Sequence, residues 1–235
     1  MKIQWCADFA LYDNALGDDL KTFCILLDSI PNSYGYVLDW GGGDGKQCKT
    51  ILENNRFKCI NMDPSIESLK LNVAGIQKIR GIGQFLPFKD HSFAAIHISA
   101  ALHHAERDLE SCLAEIKRVS QPRGVIMIFE PLSGNLIASI ARKLFVSDRH
   151  DVTERPLNRA KLLKTVTPYF EVKTEKYYFL LSYVLPHLVA RLPFKPFWRR
   201  LAAFSFSIDK YMLEHFHFLR PFAAYVRILA VTKET

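Results

Sequence analysis

The chain lacks the marks of an exported, metal-stapled or membrane-spanning protein. Its five cysteines, at positions 6, 24, 48, 59 and 112, show no C-x-x-C spacing. An odd count in apolar contexts argues against a disulfide framework and a thiolate zinc site, so reduced thiols and no metal are expected. The first twenty residues hold no apolar core of signal-peptide length before their acids begin, which makes a cytoplasmic location the expectation. Beyond Pro131 the longest uncharged run, residues 177–190, has 14 residues and contains Pro186, too short to span a bilayer. The composition of the 235 residues, 49% hydrophobic and 23% charged, suits a single globular domain over 1–235.

Glycine is concentrated in one place. Four of the eleven glycines occupy positions 41, 42, 43 and 45, within YVLDWGGGDG, Tyr36 to Gly45. Tyr36, Val37 and Leu38 suit a buried strand, and the glycines suit a turn that takes positive φ or approaches a ligand closely. Asp44 to Asn55 reads as a helix with Cys48, Ile51 and Leu52 on one face, so a ligand would meet backbone N–H groups at a helix N-terminus. A Walker phosphate loop would need Gly at 40 and Ser or Thr after Gly45-Lys46, but Trp40 and Gln47 stand there. A dinucleotide loop, G-x-G-x-x-G, would need a small residue where Lys46 stands. What remains is D-x-G-x-G-x-G, formed by Asp39, Gly41, Gly43 and Gly45.

Residues 13–30 carry a helical apolar stripe, with Trp5 and Tyr12 ahead of it, and residues 1–34 read as a helical cover. Lys58 to Asp63 reads as a second strand ending in an acid 24 residues after Asp39, the spacing at which a carboxylate can accept from two ribose hydroxyls. Ser65 caps a helix that runs to Ala74. Lys78 to Arg80 is a short strand, 81–88 a loop, Phe93 to Ser99 a central strand, and 100–106 a loop holding His103 and His104. A helix over 107–120 buries Leu109, Leu113, Ile116 and Val119, and a fifth strand covers 125–129. This alternation predicts a doubly wound, mostly parallel sheet of the α/β class. Beyond Pro131 come basic helices over 134–146 and 158–167, then strands over 170–179 and 223–232. Between these strands lie residues 180–221, 42 positions where a hairpin would use two to five, read as a helical insert that is either a lid or a membrane-facing element. Charge divides unevenly: residues 1–130 hold 14 Lys and Arg against 16 acids, and residues 131–235 hold 17 against 8. That asymmetry points to an anionic partner for the second half, a membrane surface or nucleic acid.

VLDWGGGDG, CINMDPS, LPFKDHSFAAIHISAALHHA and LAEIKRVSQPRGVIMIFEP, in this order over roughly 36–131, resemble successive motifs of the small-molecule, type 11-like branch of class I S-adenosylmethionine-dependent methyltransferases. The resemblance implies a Rossmann-like seven-stranded sheet with the last strand antiparallel, and S-adenosylmethionine as donor. It implies cofactor-binding roles for Asp39, Gly41, Gly43, Gly45 and Asp63, for Pro64, Ile82, Gly83 and Gln84 around the adenine, and for Ser99. Two positions depart from the branch. Its loop usually reads G-D-A-E where this chain has Gly81-Ile82-Gly83-Gln84, and the Ile82 side chain cannot accept the adenine amino group. The Asp common after S-F is replaced by Ala94.

Methyl transfer from an activated sulfonium is mainly a task of alignment and water exclusion. A hydroxyl acceptor also has a proton to lose, and a base near the methyl helps by about 10²-fold or more. His103 and His104 stand at the carboxyl edge of the sheet, where ligands of open α/β sheets bind. Either is a candidate base, and the pair could equally shape the pocket alone. His150, among Asp148, Asp151 and Glu154, is a second candidate. O-methylation of a small or lipid-linked acceptor is the favoured reading, with the insert a candidate peripheral contact at the inner face of a membrane. Two alternatives stay open: an RNA-modifying methyltransferase and a cofactor-binding protein without catalysis. Against the RNA reading, no Asn-Pro-Pro-aromatic tetrad follows the fourth strand; Ser99-Ala100-Ala101-Leu102 stands there.

Overall fold

The computed structural model describes residues 3–4, 18–29, 35–53, 57–71, 75–146 and 155–234. Trp5, Cys6, Tyr12, the start of the 13–30 stripe, Asn55, Ala74 and His150 with Asp148, Asp151 and Glu154 lie outside these residues. The chain divides into two compact units, a larger one of residues 20–130, 160–175 and 227–235, and a smaller one of residues 1–19, 131–159 and 176–226.

The sheet has seven strands. In chain order they are β2 (Gly35–Trp40), β3 (Phe57–Asp63), β4 (Gln77–Arg80), β5 (Phe93–Ser99), β6 (Ser120–Pro131), β8 (Phe170–Tyr178) and β9 (Tyr225–Thr232). Across the sheet the order is β4-β3-β2-β5-β6-β9-β8. The pairs from β4 to β6 are parallel, and β8 with β9 makes the one antiparallel hairpin. This is the doubly wound, mostly parallel sheet expected from the alternation of short apolar runs with helices. The strand order reverses direction between β2 and β5, at the place where open α/β sheets bind ligands beyond their carboxyl ends.

The helices pack by the faces their apolar spacing dictates. In α4 (Leu109–Val119), Leu109, Cys112, Leu113, Ile116 and Val119 are all buried. Phe23 and Leu27 of α1 (Asp18–Ser29) join Val37, Phe57, Ala95 and Met127 in one core cluster. Ser65 caps α3 (Ile66–Lys70) by accepting from the Ser68 N–H at 3.1 Å. Residues 102–106, expected as loop, and 107–108, expected as the start of the helix, form a 3-10 turn that leads into α4.

One expectation about the cysteines is corrected. Cys48 of α2 (Lys46–Leu52) is bonded to Cys59 of β3, with Cα atoms 5.6 Å apart, a normal separation for a disulfide. The first turn of α2 lies directly on β3 and both side chains face the same core cluster, so tertiary packing joins two cysteines that share no local spacing. Cys112 is a free thiol, which burial pushes up to about 11, and the Cys24 thiol donates to the Thr50 carbonyl.

The smaller unit holds a two-residue parallel pair, β1 (Ile3–Gln4) with β7 (Phe145–Val146), and helix α5 (Leu136–Leu144). Helix α6 (Arg159–Val166) follows in the chain. The insert before the last strand is helical: a 3-10 turn Ser182–Val184, α7 (Leu185–Val189), the long α8 (Lys195–His215) and a 3-10 turn His217–Phe222. Two buried polar side chains hold its joints. The Asn135 amide donates to the carbonyls of Phe179, Leu180 and Phe222 at 3.2, 2.8 and 2.7 Å, and its Oδ1 accepts from the Ala138 N–H. The Asp209 carboxylate, inside α8, accepts from the N–H groups of Leu180, Leu181 and Ser182 and from the Ser182 hydroxyl. Together they fix the turn at Phe179, whose φ of 58° puts a bulky residue in the left-handed region.

Candidate functional site

Three carboxylates end strands β2, β3 and β6 in the larger unit, and each organises a loop at the carboxyl edge. Asp39, on β2, is fully buried and stands in register between Asn61 on β3 and His97 on β5. Its Oδ1 is 2.9 Å from His97 Nδ1. Its Oδ2 is buried with no hydrogen-bond partner. An orphaned carboxylate oxygen in a dry position is costly, so this atom is the clearest sign that the larger unit is shaped around a polar or cationic group.

The glycine loop closes over that row. Gly41, Gly43 and Gly45 all have positive φ, and Gly45 precedes α2, whose first N–H groups face the loop. A side chain at Gly41 would collide with Ala101, and one at Gly42 with Asp39 Oδ2 and Asn61 Oδ1. A Cβ at Gly43 would meet nothing within 4 Å, so there only the backbone conformation demands glycine. The loop is held from below by Asn61 Nδ2, which donates to the Gly43 carbonyl at 2.9 Å, and by Asp63, whose Oδ2 accepts from the Gly43 N–H at 3.0 Å. Asp63 Oδ1 accepts from the Ser65 N–H at 2.8 Å. A carboxylate can accept about four bonds, so two backbone donors leave Asp63 capacity for a ligand.

The expected adenine side is assembled from β4 onward. Pro64 is exposed, and its carbonyl accepts from Arg80 Nε at 3.1 Å. Ile82 presents half of its side chain to solvent, and its carbonyl accepts from the Phe85 N–H. Gly83 abuts Trp40 and Cys112 so closely that any side chain would strike the indole. Gln84 donates its amide N–H to Asp108 at 3.1 Å, which turns its carbonyl oxygen away from that bond. The following residues are clamped to α4. Glu115 accepts from the Leu86 N–H, and the Arg118 guanidinium reaches the carbonyls of Leu86 and Phe88 as well as Asp90 and Glu115. That Arg118 bond holds the Glu115 carboxyl below the usual carboxylate range, against an opposing effect of burial.

At the end of β5, Ser99 is half-buried, and Ala100 takes φ 50° while donating its N–H to the Phe129 carbonyl at 2.7 Å. A non-glycine residue in this region stores strain unless its surroundings over-determine it. Here the determinant is Glu130, fully buried at the end of β6. Its Oε1 accepts from the N–H groups of Ala101 and Leu102 at 2.8 and 2.7 Å, and its Oε2 accepts from His103 N–H and lies 2.9 Å from His103 Nδ1. With so many donors on two oxygens Glu130 is an acceptor throughout, so His103 donates from Nδ1 and carries its lone pair at Nε2. His103 is buried; His104 is exposed, with ring centroids 4.2 Å apart. The two histidines therefore differ in kind: one is aimed by a carboxylate and the other lies over it. Among the described residues no cluster of three or more His, Cys, Asp or Glu forms a metal site.

Three residues of this constellation escape a reading of the sequence: His97, Asn61 and Glu130. Glu130 had a signal, since VIMIFEP is the third apolar run here to end in an acid, after Asp39 and Asp63. His97 had none, because it lies inside an apolar strand and only register brings it to Asp39. S-adenosylmethionine, with its ammonium and sulfonium cations, fits the orphaned Asp39 oxygen, and its bulk fits the side-chain-free loop at Gly41, Gly42 and Gly43.

The comparisons with known proteins agree with this geometry. Residues 38–128 match the family model described as "Methyltransferase domain". Over 98 residues, 40% of this chain, it is 30% identical to an uncharacterised methyltransferase of Synechocystis sp.. Over 177 residues, 66% of this chain, it is 28% identical to a malonyl-[acyl-carrier protein] O-methyltransferase of Halorhodospira halophila. These alignments cover 46% and 55% of the relatives, so the chain spans about half the length of the curated proteins it matches. The crystal structure of a SAM-dependent methyltransferase from Archaeoglobus fulgidus shares the fold, with TM-score 0.60 at 15% identity over 95% of this chain and 99% of that one. The sheet order, the D-x-G-x-G-x-G loop and the matched segment agree: residues 38–128 belong to the class I S-adenosylmethionine-dependent methyltransferase domains of the type 11 branch.

Proposed function

We propose that this protein methylates an oxygen atom of a small acceptor, free or carried on a lipid or an acyl carrier, with S-adenosylmethionine as donor. The observation that carries this reading is the packing of the His103 loop on the glycine loop: Ala101 leaves no room for a side chain at Gly41, and Glu130 aims the His103 imidazole two residues further on. When bound, S-adenosylmethionine supplies a methyl group already activated by its sulfonium. The chain's own work is then to hold, orient and deprotonate. Asp39 faces the donor's ammonium, Gly41, Gly43 and Gly45 give it backbone room, and Asp63 takes the ribose hydroxyls. Pro64, Ile82, Gly83 and the Gln84 carbonyl form the adenine side, with Ser99 at the strand end. His103 accepts the hydroxyl proton at Nε2, and Glu130 stabilises the imidazolium that results. The O-methyltransferase named among the relatives supports oxygen as the nucleophile.

The test is turnover with methyl-labelled S-adenosylmethionine against phenols, extracted lipids, acyl-carrier-linked and free dicarboxylates, and RNA, alongside calorimetric titration of the donor. Label in a small or carrier-linked product supports the reading, whereas label in RNA, or no donor binding, overturns it. On a hydroxyl acceptor His103→Gln should lower kcat about 10²-fold and leave donor affinity unchanged. A carboxylate acceptor has no proton to lose, so there the same substitution should be nearly silent. Unchanged kcat on a hydroxyl acceptor removes His103 as the base.

A further inference from the structure

Helix α8 has two faces, and its own unit uses only one. Ala202, Asp209 and Leu213 are buried, and Trp198 and Phe206 pack half-buried against Val189 and Leu185. Phe206 also meets Phe179 edge-on at 5.4 Å. The opposite face carries Phe197, Leu201, Phe204, Ile208 and Tyr211, every one exposed, with Phe197 at 61%, Phe204 at 64% and Tyr211 at 57%. Their spacing of four, three, four and three residues confines them to an arc of about 80° along roughly 21 Å of helix. Phe194, at the helix start with φ 55°, is 82% exposed. Such an apolar stripe exceeds what a solvated helix carries.

Charge identifies what covers it. Residues 180–221 contain six Lys and Arg against two acids, and one of those acids, Asp209, is buried and saturated by backbone donors. Lys195, Arg200 and Lys210 are exposed on α8. At 100° per residue Arg200 borders the stripe, and Lys210 lies further round the same flank, about 140° from the centre of the stripe, with the exposed Glu214 between them. An aromatic stripe in a segment with an excess of basic over acidic side chains is the pattern of a helix that lies in the headgroup region of an anionic membrane. A second copy of the chain would set one basic flank against another. No helix among the described residues is long and apolar enough to cross a bilayer, so the contact is interfacial. We propose that α8 docks the protein onto anionic membrane surfaces, with Phe194, Phe197 and Phe204 inserted among the acyl chains and Arg200 and Lys210 on lipid phosphates. The contact is independent of turnover and of the acceptor.

Flotation of the full-length protein with vesicles of equimolar phosphatidylglycerol and phosphatidylcholine tests this. The protein should float with these vesicles at low salt, be released as salt rises, and stay behind with pure phosphatidylcholine. Arg200→Gln with Lys210→Gln should weaken vesicle binding roughly 30-fold. Phe197→Ser with Phe204→Ser should weaken it at least about 100-fold at any salt. Because all four side chains are exposed, unchanged circular dichroism and thermal unfolding should accompany both losses. Failure of the wild-type protein to float with anionic vesicles at low salt overturns the proposal. So does equal binding to neutral vesicles, or a dimer in sedimentation that the two serine substitutions dissolve, which would assign the stripe to a second copy.

Discussion

The two units bury acids for different ends. In the smaller unit the Asp209 carboxylate is saturated: three backbone N–H groups and a hydroxyl converge on it. In the larger unit Asp39 keeps one buried oxygen without a partner, and Asp63 accepts only two backbone bonds. A buried acid saturated by the chain's own donors fixes a joint, as Asp209 does in the insert and Glu130 does under the His103 loop, whereas an unsaturated one leaves capacity for another group. The surfaces divide the other way. Among the described residues the larger unit exposes Ile25, Ile66, Leu71, Ile82 and Phe85 as its large apolar side chains, whereas the smaller unit exposes most of the rest, including the whole outer stripe of α8. One unit thus leaves polar capacity inside, and the other leaves apolar area outside.

The sharpest break of this contrast comes from paired substitutions of two buried acids. Glu130→Ala and Asp209→Ala each strip several backbone N–H groups of their acceptor, so each should cost roughly 3 kcal/mol or more in urea unfolding. They should part on binding: Glu130→Ala, which releases the loop packed on Gly41, should lower the affinity for S-adenosylmethionine in calorimetry, and Asp209→Ala should leave it unchanged. An equal loss of donor affinity from both would erase the distinction between the two units. Next in size is Asp39→Asn, which keeps an acceptor for His97 but removes the charge. Donor affinity should fall by about 1.5 to 3 kcal/mol while stability stays close to wild type. A loss of stability without a change in affinity would mean that the orphaned oxygen serves the fold.

A smaller effect is expected at Glu115, with a definite pH dependence. Its carboxyl is held low chiefly by Arg118. A depressed folded value means that the stabilisation is complete above the ordinary carboxylate range and is lost as pH falls through the folded value. Wild type should therefore exceed Glu115→Gln by about 1 to 2 kcal/mol near neutrality, and the two should converge in acid; a gap that persists in acid would assign the effect to packing. The smallest effect belongs to the outer stripe. Phe204→Ser should move the unfolding midpoint by no more than about 0.5 kcal/mol of stability without vesicles, since that ring packs on solvent. A larger loss would place Phe204 in the core and weaken the contrast from its other side.

The sequence carried more of the fold than of the site. Short β-branched and aromatic runs, the helical stripe at Leu109, Leu113, Ile116 and Val119, and the 42-residue gap before the last strand all depend on periods of two and 3.6 that a chain displays locally. Asp39, the glycines and Asp63 were legible because a turn that approaches a ligand needs glycine and a strand end needs a carboxylate, each at fixed spacing. His97, inside an apolar run, became Asp39's partner through strand register alone. Cys48 met Cys59 only because α2 folds onto β3. What distinguishes His103 from His104 is its contact with Glu130, 27 residues further along the chain. The aromatics of the insert read alike in sequence, yet packing buried Tyr183, half-buried Trp198 and Phe206, and left Phe194, Phe197 and Phe204 outside. Local spacing determines which face of an element is apolar and where its ends lie. Which neighbour saturates a buried acid, and which apolar face is left uncovered, depends on contacts between residues far apart in sequence, and only the tertiary structure decides those.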